Sequence, residues 1–510
     1  MTHTPEDSGS ERAKTGVAGL DAILEGGLPT GHMYLVEGES GAGKTTIGLH
    51  FLLAGRERGE TCLWITMSET ERELHAAAKA HGWELQGIHI LNLVLTKDVL
   101  NTEERYTFFS PADVELSDTT KQILDAVKRL RPARVVFDPF SDIRQLARET
   151  LGYRRQILAL REFFSEYRCT VLLMQEMTRG SPGDIQAEAL THGYLTLHQE
   201  SPEYGGQRRR LRIHKMRGIA FLGGYHDFAI QKGGIRVYPR LVPSKHYEEL
   251  PDETVSTGLP TLDQLLGGGC ERGSNLLIMG PAGVGKSTIA AQCALAAANR
   301  GEKVLLFMFD ETVRAFTTRS RKLGLMLDRQ ISSGRIRLLQ IDSAEFSPGE
   351  FAQLVVDAVD RDGMQMIVID SLSGYINAMP EERFLATHMH ELLTYLNYRN
   401  VVTIMTLAQH GVLGDQVQSP VDLSYLADTV MLIRYFEAFG AVRRALSVVK
   451  KRTGPHEVLI REMLIRDGSG IALGEPLTRF QGVLSGRPTF TGEEPMLTNT
   501  GSRPHERPRD

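Results

Sequence analysis

One eight-residue pattern occurs twice and carries the residue types best suited to binding phosphate. The pattern Gly-x-x-x-x-Gly-Lys-Ser/Thr spans residues 38–45 and recurs at 280–287, each time after a short apolar run. Glycines allow backbone N–H groups to converge on phosphate oxygens, the lysine neutralises charge, and the following hydroxyl ligates Mg²⁺. The predicted nucleotide contacts are Gly38, Ser40, Gly41, Ala42, Gly43, Lys44, Thr45 and Thr46 in the first copy and Gly280, Ala282, Gly283, Val284, Gly285, Lys286, Ser287 and Thr288 in the second. A glycine-rich turn without phosphate would also fit one copy, but two copies in equivalent settings favour two sites for a nucleotide and Mg²⁺.

Two aspartates are predicted to complete the Mg²⁺ sites. Phosphoryl transfer uses a carboxylate at the end of a strand beside the phosphate loop, and Asp138 and Asp370 each end an apolar run. The predicted metal ligands are therefore Thr45 with Asp138 and Ser287 with Asp370. An aspartate at the end of a strand can also be a turn or capping residue, but a phosphate loop upstream favours the metal role.

Acidic residues after another apolar run in each copy are candidates for orienting the attacking oxygen. Hydrolysis requires such a group at about 3 Å from that oxygen. Glu69 occupies this place in the first copy, and Asp310 with Glu311 occupies it in the second. Because the helix dipole also favours acids at helix N-termini, a purely structural role is the alternative.

The two phosphate loops belong to a longer repeat. A constant offset of 242 residues carries Lys44 onto Lys286 and residues 69–70 onto 311–312. A period this long excludes solenoids and propellers, whose units are about 20 to 50 residues long. It indicates two globular domains in series.

Apolar runs of strand length alternate with longer helical stretches in both halves, which is typical of βαβ units. The pattern predicts an α/β fold with two tandem P-loop domains, each a mainly parallel, doubly wound sheet with helices on both faces. Two later strands, 210–215 and 445–450, are expected to extend the sheets in the antiparallel sense. The predicted segments are a disordered N-terminus at 1–13, a first domain at 14–241, a linker at 242–255, a second domain at 256–490 and a disordered tail at 491–510.

Composition argues against several classes of protein. The 510-residue chain is 41% hydrophobic and 24% charged, without an apolar run that approaches membrane-spanning length or a secretory leader. These features predict a cytoplasmic protein that does not bind membranes. The four cysteines form no Cys-x-x-Cys pair, which argues against a zinc site or disulfide framework. A net charge of −5 argues against a dedicated nucleic-acid partner, although 208–212 is a basic cluster.

The chain resembles the KaiC family of the RecA/DnaB superfamily. Beyond the phosphate loops, the resemblance rests on Ile-Thr-Met-Ser-Glu-Thr at 65–70, His-Lys-Met-Arg-Gly at 214–218, Lys-Lys-Arg-Thr at 450–453 and Phe-Gln-Gly-Val-Leu-Ser-Gly-Arg-Pro at 480–488. It implies tandem RecA-like ATPase domains in a hexameric double ring, with nucleotide between neighbouring subunits. It also implies that four cations reach across to the phosphates of the adjoining subunit: Lys215, Arg217, Lys450 and Arg452. A cation supplied in this way would make turnover depend on assembly.

The first repeat departs from the family at the position before Glu69. Family members carry two adjacent glutamates there, whereas this chain has Ser68 followed by Glu69. One glutamate can still orient water, so we predict slow hydrolysis in the first repeat with Glu69 essential.

The second repeat departs from the family at its phosphorylation sites. Clock members of the family phosphorylate an adjacent serine and threonine just before an Asp-Thr-apolar strand, and the resemblance places Ser424 and Tyr425 there. A phenol cannot take the geometry of the threonine, so a two-site phosphorylation cycle is not expected. Phosphorylation at Ser424, with Asp310 or Glu311 as the base, is a hypothesis.

The leading functional prediction is an oligomeric ATPase with serine autokinase activity as a further hypothesis. Its slow hydrolysis would drive a conformational change that a regulatory protein partner senses. The first alternative is a DNA-dependent RecA/DnaB-type ATPase, for which the cluster at 208–212 is the only support. The second is a scaffold that binds ATP to assemble and barely turns it over.

Overall fold

The structure of the protein, a computed structural model, describes most of the chain. The described residues are 11–93, 111–146, 150–177, 185–202, 205–246, 253–342, 344–377, 384–409, 424–484 and 488–491, with the backbone alone at 111–117, 145–146, 150, 377 and 424. The chain divides into two compact units, Met1–Arg240 with Ser347–Gln353, and Leu241–Phe346 with Leu354–Asp510.

The first repeat is built from eleven strands and seven helices within the described residues. The strands are β1 (Arg12–Ala13), β2 (Leu28–Pro29), β3 (Met33–Gly38), β4 (Cys62–Thr66), β5 (Ile88–Asn92), β6 (Arg134–Asp138), β7 (Thr170–Glu176), β8 (Gly193–Glu200), β9 (Arg208–Met216), β10 (Tyr225–Gln231) and β11 (Gly234–Tyr238). The helices are α1 (Ala18–Ile23), α2 (Lys44–Glu57), α3 (Glu71–Ala80), α4 (Pro111–Leu130), α5 (Ser141–Leu146), α6 (Thr150–Glu166) and α7 (Ile185–Leu190).

The second repeat has the same order of main strands, with one additional short helix, a 3₁₀ turn in the place of α7 and a short final hairpin. Its strands are β12 (Thr254–Val255), β13 (Cys270–Glu271), β14 (Asn275–Gly280), β15 (Val304–Met308), β16 (Ile336–Gln340), β17 (Met366–Asp370), β18 (Val402–Ala408), β19 (Thr429–Ala438), β20 (Ala441–Lys451), β21 (Arg461–Arg466), β22 (Gly470–Pro476), β23 (Phe480–Gln481) and β24 (Thr489–Phe490). Its helices are α8 (Pro260–Leu265), α9 (Lys286–Arg300), α10 (Val313–Lys322), α11 (Asp328–Ser332), α12 (Pro348–Asp360), α13 (Leu372–Asn377) and α14 (Leu385–Tyr398). Single 3₁₀ turns occur at Pro243–His246 and Ser424–Leu426.

Each repeat contains one nine-stranded sheet, and the two sheets share one topology. The strand order is β11-β10-β9-β8-β3-β7-β6-β4-β5 in the first and β22-β21-β20-β19-β14-β18-β17-β15-β16 in the second. The strands from β8 to β5, and from β19 to β16, run parallel, whereas the remaining three in each sheet continue it in the antiparallel sense. This arrangement confirms the predicted α/β fold of two tandem RecA-like domains.

The two strands predicted at 210–215 and 445–450 are present as parts of the longer strands β9 and β20. The strands β1 and β12 pair with β2 and β13 at the ends of segments for which no regular structure was predicted. Two-residue strands have no apolar period to reveal them. The domain boundaries themselves stay a prediction.

Buried strands and the helices over them form the core of each repeat. In the first repeat, one apolar cluster contains Val36, Leu52 and Trp64, and a second apolar cluster contains Leu35 and Phe137. Adjacent residues of β3 thus enter different clusters, because successive side chains of a strand point to opposite faces. This two-sided burial explains why the parallel strands read as continuous apolar runs.

A buried arginine holds the amino-terminal edge of the first sheet. Arg134 begins β6 and is 1% exposed. Its guanidinium pairs with Glu60 and donates a 2.8 Å hydrogen bond to the carbonyl of Phe51, whose ring lies 4.7 Å away. A Cβ atom on Gly55 would collide with the Arg134 side chain, so helix α2 needs a glycine there.

We expect Arg134→Met to destabilise the first repeat by about 3 kcal/mol, because it leaves the partly buried Glu60 carboxylate without its partner. The chain has two tryptophans, and both of them, Trp64 and Trp83, lie in the first repeat. Urea unfolding followed by tryptophan fluorescence therefore reports on this repeat alone. The exposed Arg155 of α6 supplies the control, Arg155→Met. Equal urea midpoints for the two variants would contradict the assigned role.

Candidate nucleotide sites

The first phosphate loop connects a buried strand to a helix that begins at the invariant lysine of the pattern. Strand β3 ends at Gly38 and α2 starts at Lys44, with Gly43 at φ 101° between them. A Cβ atom on Gly43 would lie 2.8 Å from Cδ1 of Ile230, so both space and backbone angle require glycine. The Lys44 ammonium donates to the carbonyls of Gly38 and Glu39, each at 2.9 Å. The lysine is therefore held over the loop, where a phosphate would be neutralised.

The second loop repeats this geometry. Gly285 has φ 114°, and Lys286 donates to the carbonyls of Gly280 and Pro281 at 2.9 Å each. Burial lowers the pKa of both Lys44 and Lys286, while Asp138 and Asp370 act in the opposite direction. Phosphate charge at either loop would favour the protonated lysine.

Each metal pair predicted from sequence is assembled at the carboxyl edge of its sheet. The Thr45 hydroxyl donates to Oδ2 of Asp138 at 2.8 Å, and the Ser287 hydroxyl donates to Oδ1 of Asp370 at 3.1 Å. Hydroxyl and carboxylate oxygens are hard ligands of the kind that Mg²⁺ takes alongside phosphate oxygens. The residues therefore fit Mg²⁺ with a triphosphate, and bound Mg²⁺ would neutralise charge on the phosphates.

The environment of Asp138 differs from that of an ordinary surface carboxylate. Burial raises the pKa of Asp138 to about 6, although the hydrogen bond from Thr45 acts in the opposite direction. The neighbouring Glu69 and Asp142 carboxylates add to the increase. A proton thus competes with the metal at this oxygen at a higher pH than usual.

Glu69 lies beside this aspartate with its carboxylate free of ion pairs among the described residues. Thr66, which ends β4, is in register with Asp138 on β6, and its hydroxyl accepts from the Glu69 backbone N–H at 3.1 Å. Burial raises the pKa of Glu69, and the nearby Glu73 carboxylate adds to the effect. The arrangement leaves the Glu69 oxygens available to orient water.

The equivalent acids of the second repeat are both engaged. The Ser371 hydroxyl donates to Oδ2 of Asp310. Arg319 approaches both oxygens of Glu311, at 2.8 Å and 3.0 Å. Burial raises the pKa of Glu311 even though Arg319 acts to lower it. The second site therefore differs from the first in the number of its acids and in their partners.

The predicted trans cations of the first repeat lie at the other edge of the sheet. Lys215 is paired with Tyr194 at the start of β8, and its ammonium donates to the carbonyl of Glu188 at the end of α7. Tyr194 is in turn paired with Leu35 of β3, three residues before Gly38, which places the start of the phosphate loop roughly 10 Å away along the strand. Arg217 follows β9 and donates to the carbonyl of Ala189 at 3.4 Å. Neither cation approaches the phosphate loop of its own chain.

The second repeat places its cations in the same way. Lys450 is paired with Val430 and donates to the carbonyl of Ala427 at 2.8 Å. Arg452 donates to the carbonyl of Tyr425 at 2.7 Å. Ser424 begins the 3₁₀ turn that Arg452 contacts, and only the backbone of Ser424 is described.

Several residues at these sites were missed from sequence. Asp142, on α5, and Glu176, at the end of β7, act electrostatically on Asp138 and Lys44 in the first repeat. Thr406 donates to Asp370 in the second. Because the carboxyl ends of parallel strands meet at one edge of the sheet, the polar residues near the ends of β7 and β18 could have been predicted to lie at these sites. Arg319 had no such signal.

Two features bear on partners other than nucleotide. No helix in the described part of the chain is long and apolar enough to cross a membrane. The basic cluster at 208–212 lies on β9, where Arg210 forms a 3.4 Å ion pair with Asp227. Part of its charge is thus compensated within the repeat.

We expect Mg²⁺-dependent nucleotide binding at the first site to weaken as the pH falls through about 6, because protonated Asp138 cannot ligate the metal. An ordinary aspartate would give this loss only near pH 4. Mg²⁺ titrations with a fluorescent ATP analogue, in a Lys286→Ala background that removes the second site, measure the effect. Asp138→Asn should bind Mg²⁺ weakly at every pH. A midpoint near pH 4 in the parent protein would contradict the prediction.

Comparison with known proteins agrees with this geometry along nearly the whole chain. The family model described as the KaiC ATPase matches residues 13–242 and 255–478. The circadian clock oscillator protein KaiC of Picosynechococcus sp. is 25% identical over 484 residues, which cover 94% of this chain and 93% of that protein. The circadian clock protein KaiC3 of Synechocystis sp. is 24% identical over 499 residues, which cover 97% of this chain and 98% of that protein. Two repeated folds, two phosphate loops and the family match together show that the chain belongs to the KaiC family of ATP-binding ATPases.

Proposed function

We propose that this chain is a self-assembling Mg²⁺-dependent ATPase whose two nucleotide sites are each completed by a neighbouring copy. The observation that carries the proposal is the separation of charges within each repeat. Lys44 and Lys286 cover the phosphate loops, whereas Lys215, Arg217, Lys450 and Arg452 lie at the opposite sheet edge. A ring of copies brings the second set of cations of one chain to the phosphates of the next. A homohexamer is the assembly that we propose.

The residues of one chain bind the triphosphate and orient the attacking water. Backbone N–H groups of the loop and the lysine hold the β- and γ-phosphates. In the first repeat Glu69 accepts a hydrogen bond from the water and directs its lone pair at the γ-phosphorus. The neighbour's Lys215 and Arg217 stabilise the charge that develops on the phosphoryl oxygens.

Slow hydrolysis in the first repeat follows from its single acid at this place. Ser68 stands where the second repeat has Asp310, so Glu69 acts alone. We propose that this slow turnover drives a conformational change that a regulatory protein partner senses. The relatives are named as circadian clock proteins. For this chain we propose a clock-like signalling role.

We propose a second activity, autophosphorylation, for the second repeat alone. The residue six positions before Val430 is Ser424, whereas the residue six positions before its counterpart Tyr194 is Glu188. The second repeat thus has a hydroxyl in the turn that Arg452 contacts, whereas the first repeat has a carboxylate at the matching position. The Ser424 oxygen would attack the γ-phosphorus of the neighbour's ATP, ADP would leave, and the hydroxyl proton would pass to a carboxylate of that site.

Mixing two inactive variants tests the assembly of the first site. In a Lys286→Ala background, Lys44→Ala lacks the loop lysine, and Lys215→Ala/Arg217→Ala lacks the donated cations. Neither alone should hydrolyse ATP. In an equal mixture roughly a quarter of the interfaces join an intact loop to intact cations, and that share of the parent rate should return. Phosphate release that stays at the level of the separate variants would contradict completion by a neighbour.

We expect incubation with Mg²⁺-ATP to add the mass of one phosphate group to the chain, because Ser424 is the single acceptor in our proposal. Intact-mass spectrometry measures it, and Ser424→Ala should abolish it. Tyr425→Phe is the matched control, since it removes the adjacent hydroxyl and should leave the added mass in place. No added phosphate in the parent protein, or phosphate that persists in Ser424→Ala, would contradict autophosphorylation at this site.

A further inference from the structure

One arginine distinguishes the acids of the two sites. The offset of 242 residues that aligns Glu69 with Glu311 also aligns Ala77 with Arg319. Both residues lie on the helix that follows the acid, α3 in the first repeat and α10 in the second. Each helix begins after a threonine cap, Thr70 or Thr312, whose hydroxyl accepts from a backbone N–H three residues later. The backbone is thus the same, and the difference lies in side chains.

Arg319 occupies both oxygens of the Glu311 carboxylate. Its Nη1 lies 3.0 Å from Oε1 and 2.8 Å from Oε2. The guanidinium is also held against the buried ring of Phe316, at 5.6 Å from its centroid. A guanidinium nitrogen that bridges both oxygens fixes the orientation of the carboxylate and competes for it with an attacking oxygen.

Asp310 is held differently, because among the described residues a hydroxyl donates to one of its two oxygens. Its Oδ2 accepts from the hydroxyl of Ser371, which follows the predicted metal ligand Asp370. Gly374 packs against the other side, where a Cβ atom would collide with Oδ1. Asp310 is therefore fixed beside the metal pair by a neutral donor that neither cancels its charge nor covers both oxygens.

We propose that Arg319 is a positioning residue that withdraws Glu311 from catalysis, so that Asp310 orients the attacking oxygen in the second repeat while Glu69 does so in the first. The working acid thus shifts by one residue between two otherwise equivalent sites. This inference rests on the proposed ATPase function. It identifies the acid that orients the attacking oxygen at each site and the arginine that determines the choice.

The sharpest test restores activity to an inactive variant. In a Lys44→Ala background, which leaves the second site alone, Asp310→Asn should lower kcat by about 100-fold. Adding Arg319→Ala should raise kcat at least about tenfold above Asp310→Asn, because Glu311 becomes free to take over. Adding Arg319→Lys should not restore it, since the ion pair remains, and adding Glu311→Gln to the restored variant should remove the gain. A misfolded protein cannot produce such a gain.

The reciprocal experiment places an arginine at the matching position of the first repeat. Ala315 stands where the first repeat has Glu73, so Ala77→Arg is made together with Glu73→Ala, which removes the acid one helical turn before the new arginine. In a Lys286→Ala background we expect kcat to fall about tenfold with an unchanged ATP dissociation constant, because the arginine covers the acid and not the phosphate loop. Glu73→Ala/Ala77→Gln is the matched control and should keep the rate of Glu73→Ala.

The outcomes separate this inference from the proposed function. If the parent protein binds no nucleotide or releases no phosphate, the proposed function fails. If the parent turns over but Arg319→Ala restores nothing to Asp310→Asn, or Glu311→Gln is the more damaging single change, the role of Arg319 is wrong while the ATPase stands. Unchanged kcat in the Ala77→Arg variant would also overturn it.

Discussion

Strands β9 and β20 run antiparallel to the strands that carry the phosphate loops. The lysine and arginine at their ends are therefore separated from the phosphate loop of the same repeat. Parallel strands deliver Gly38 and Gly280 to the carboxyl edge of the sheet, where the metal pairs and acids also lie. A strand that runs back ends at the amino edge, and there the lysine and the arginine of each repeat donate to backbone carbonyls. Because strand length sets this distance, no side-chain rotation within one chain can close the gap. The proposed assembly, turnover and signalling all depend on this constraint.

The two repeats keep one backbone and change the partners of matching acids. Glu60 and Glu302 are aligned by the repeat, yet Glu60 pairs with Arg134 of β6, whereas Glu302 pairs with Arg272 and Arg300. Each repeat thus neutralises the matching carboxylate with arginines from different segments of its chain. The acids that follow β4 and β15 also have different partners in the two repeats. There the difference decides which acid can orient the attacking oxygen.

The repeat, the α/β class and the phosphate loops could be predicted from sequence because each depends on local pattern. An apolar run followed by a glycine-rich turn and Lys44 identifies strand, loop and helix without knowledge of what lies nearby. Partners that come from distant segments could not be predicted in this way. Ser371 reaches Asp310 across 61 residues of chain, and only the register of neighbouring strands brings them together. Arg319 is close to Glu311 in sequence, but an arginine on a helix is ordinarily solvated, so only geometry distinguishes it.

The dependence of turnover on protein concentration tests the central claim most directly. Phosphate release per chain is measured across a dilution series in Mg²⁺-ATP, with the assembled fraction followed in parallel by light scattering or mass photometry. If a neighbour completes each site, turnover per chain falls in proportion to the assembled fraction and vanishes for isolated chains. Full turnover per chain in a sample that contains only monomers would contradict the account.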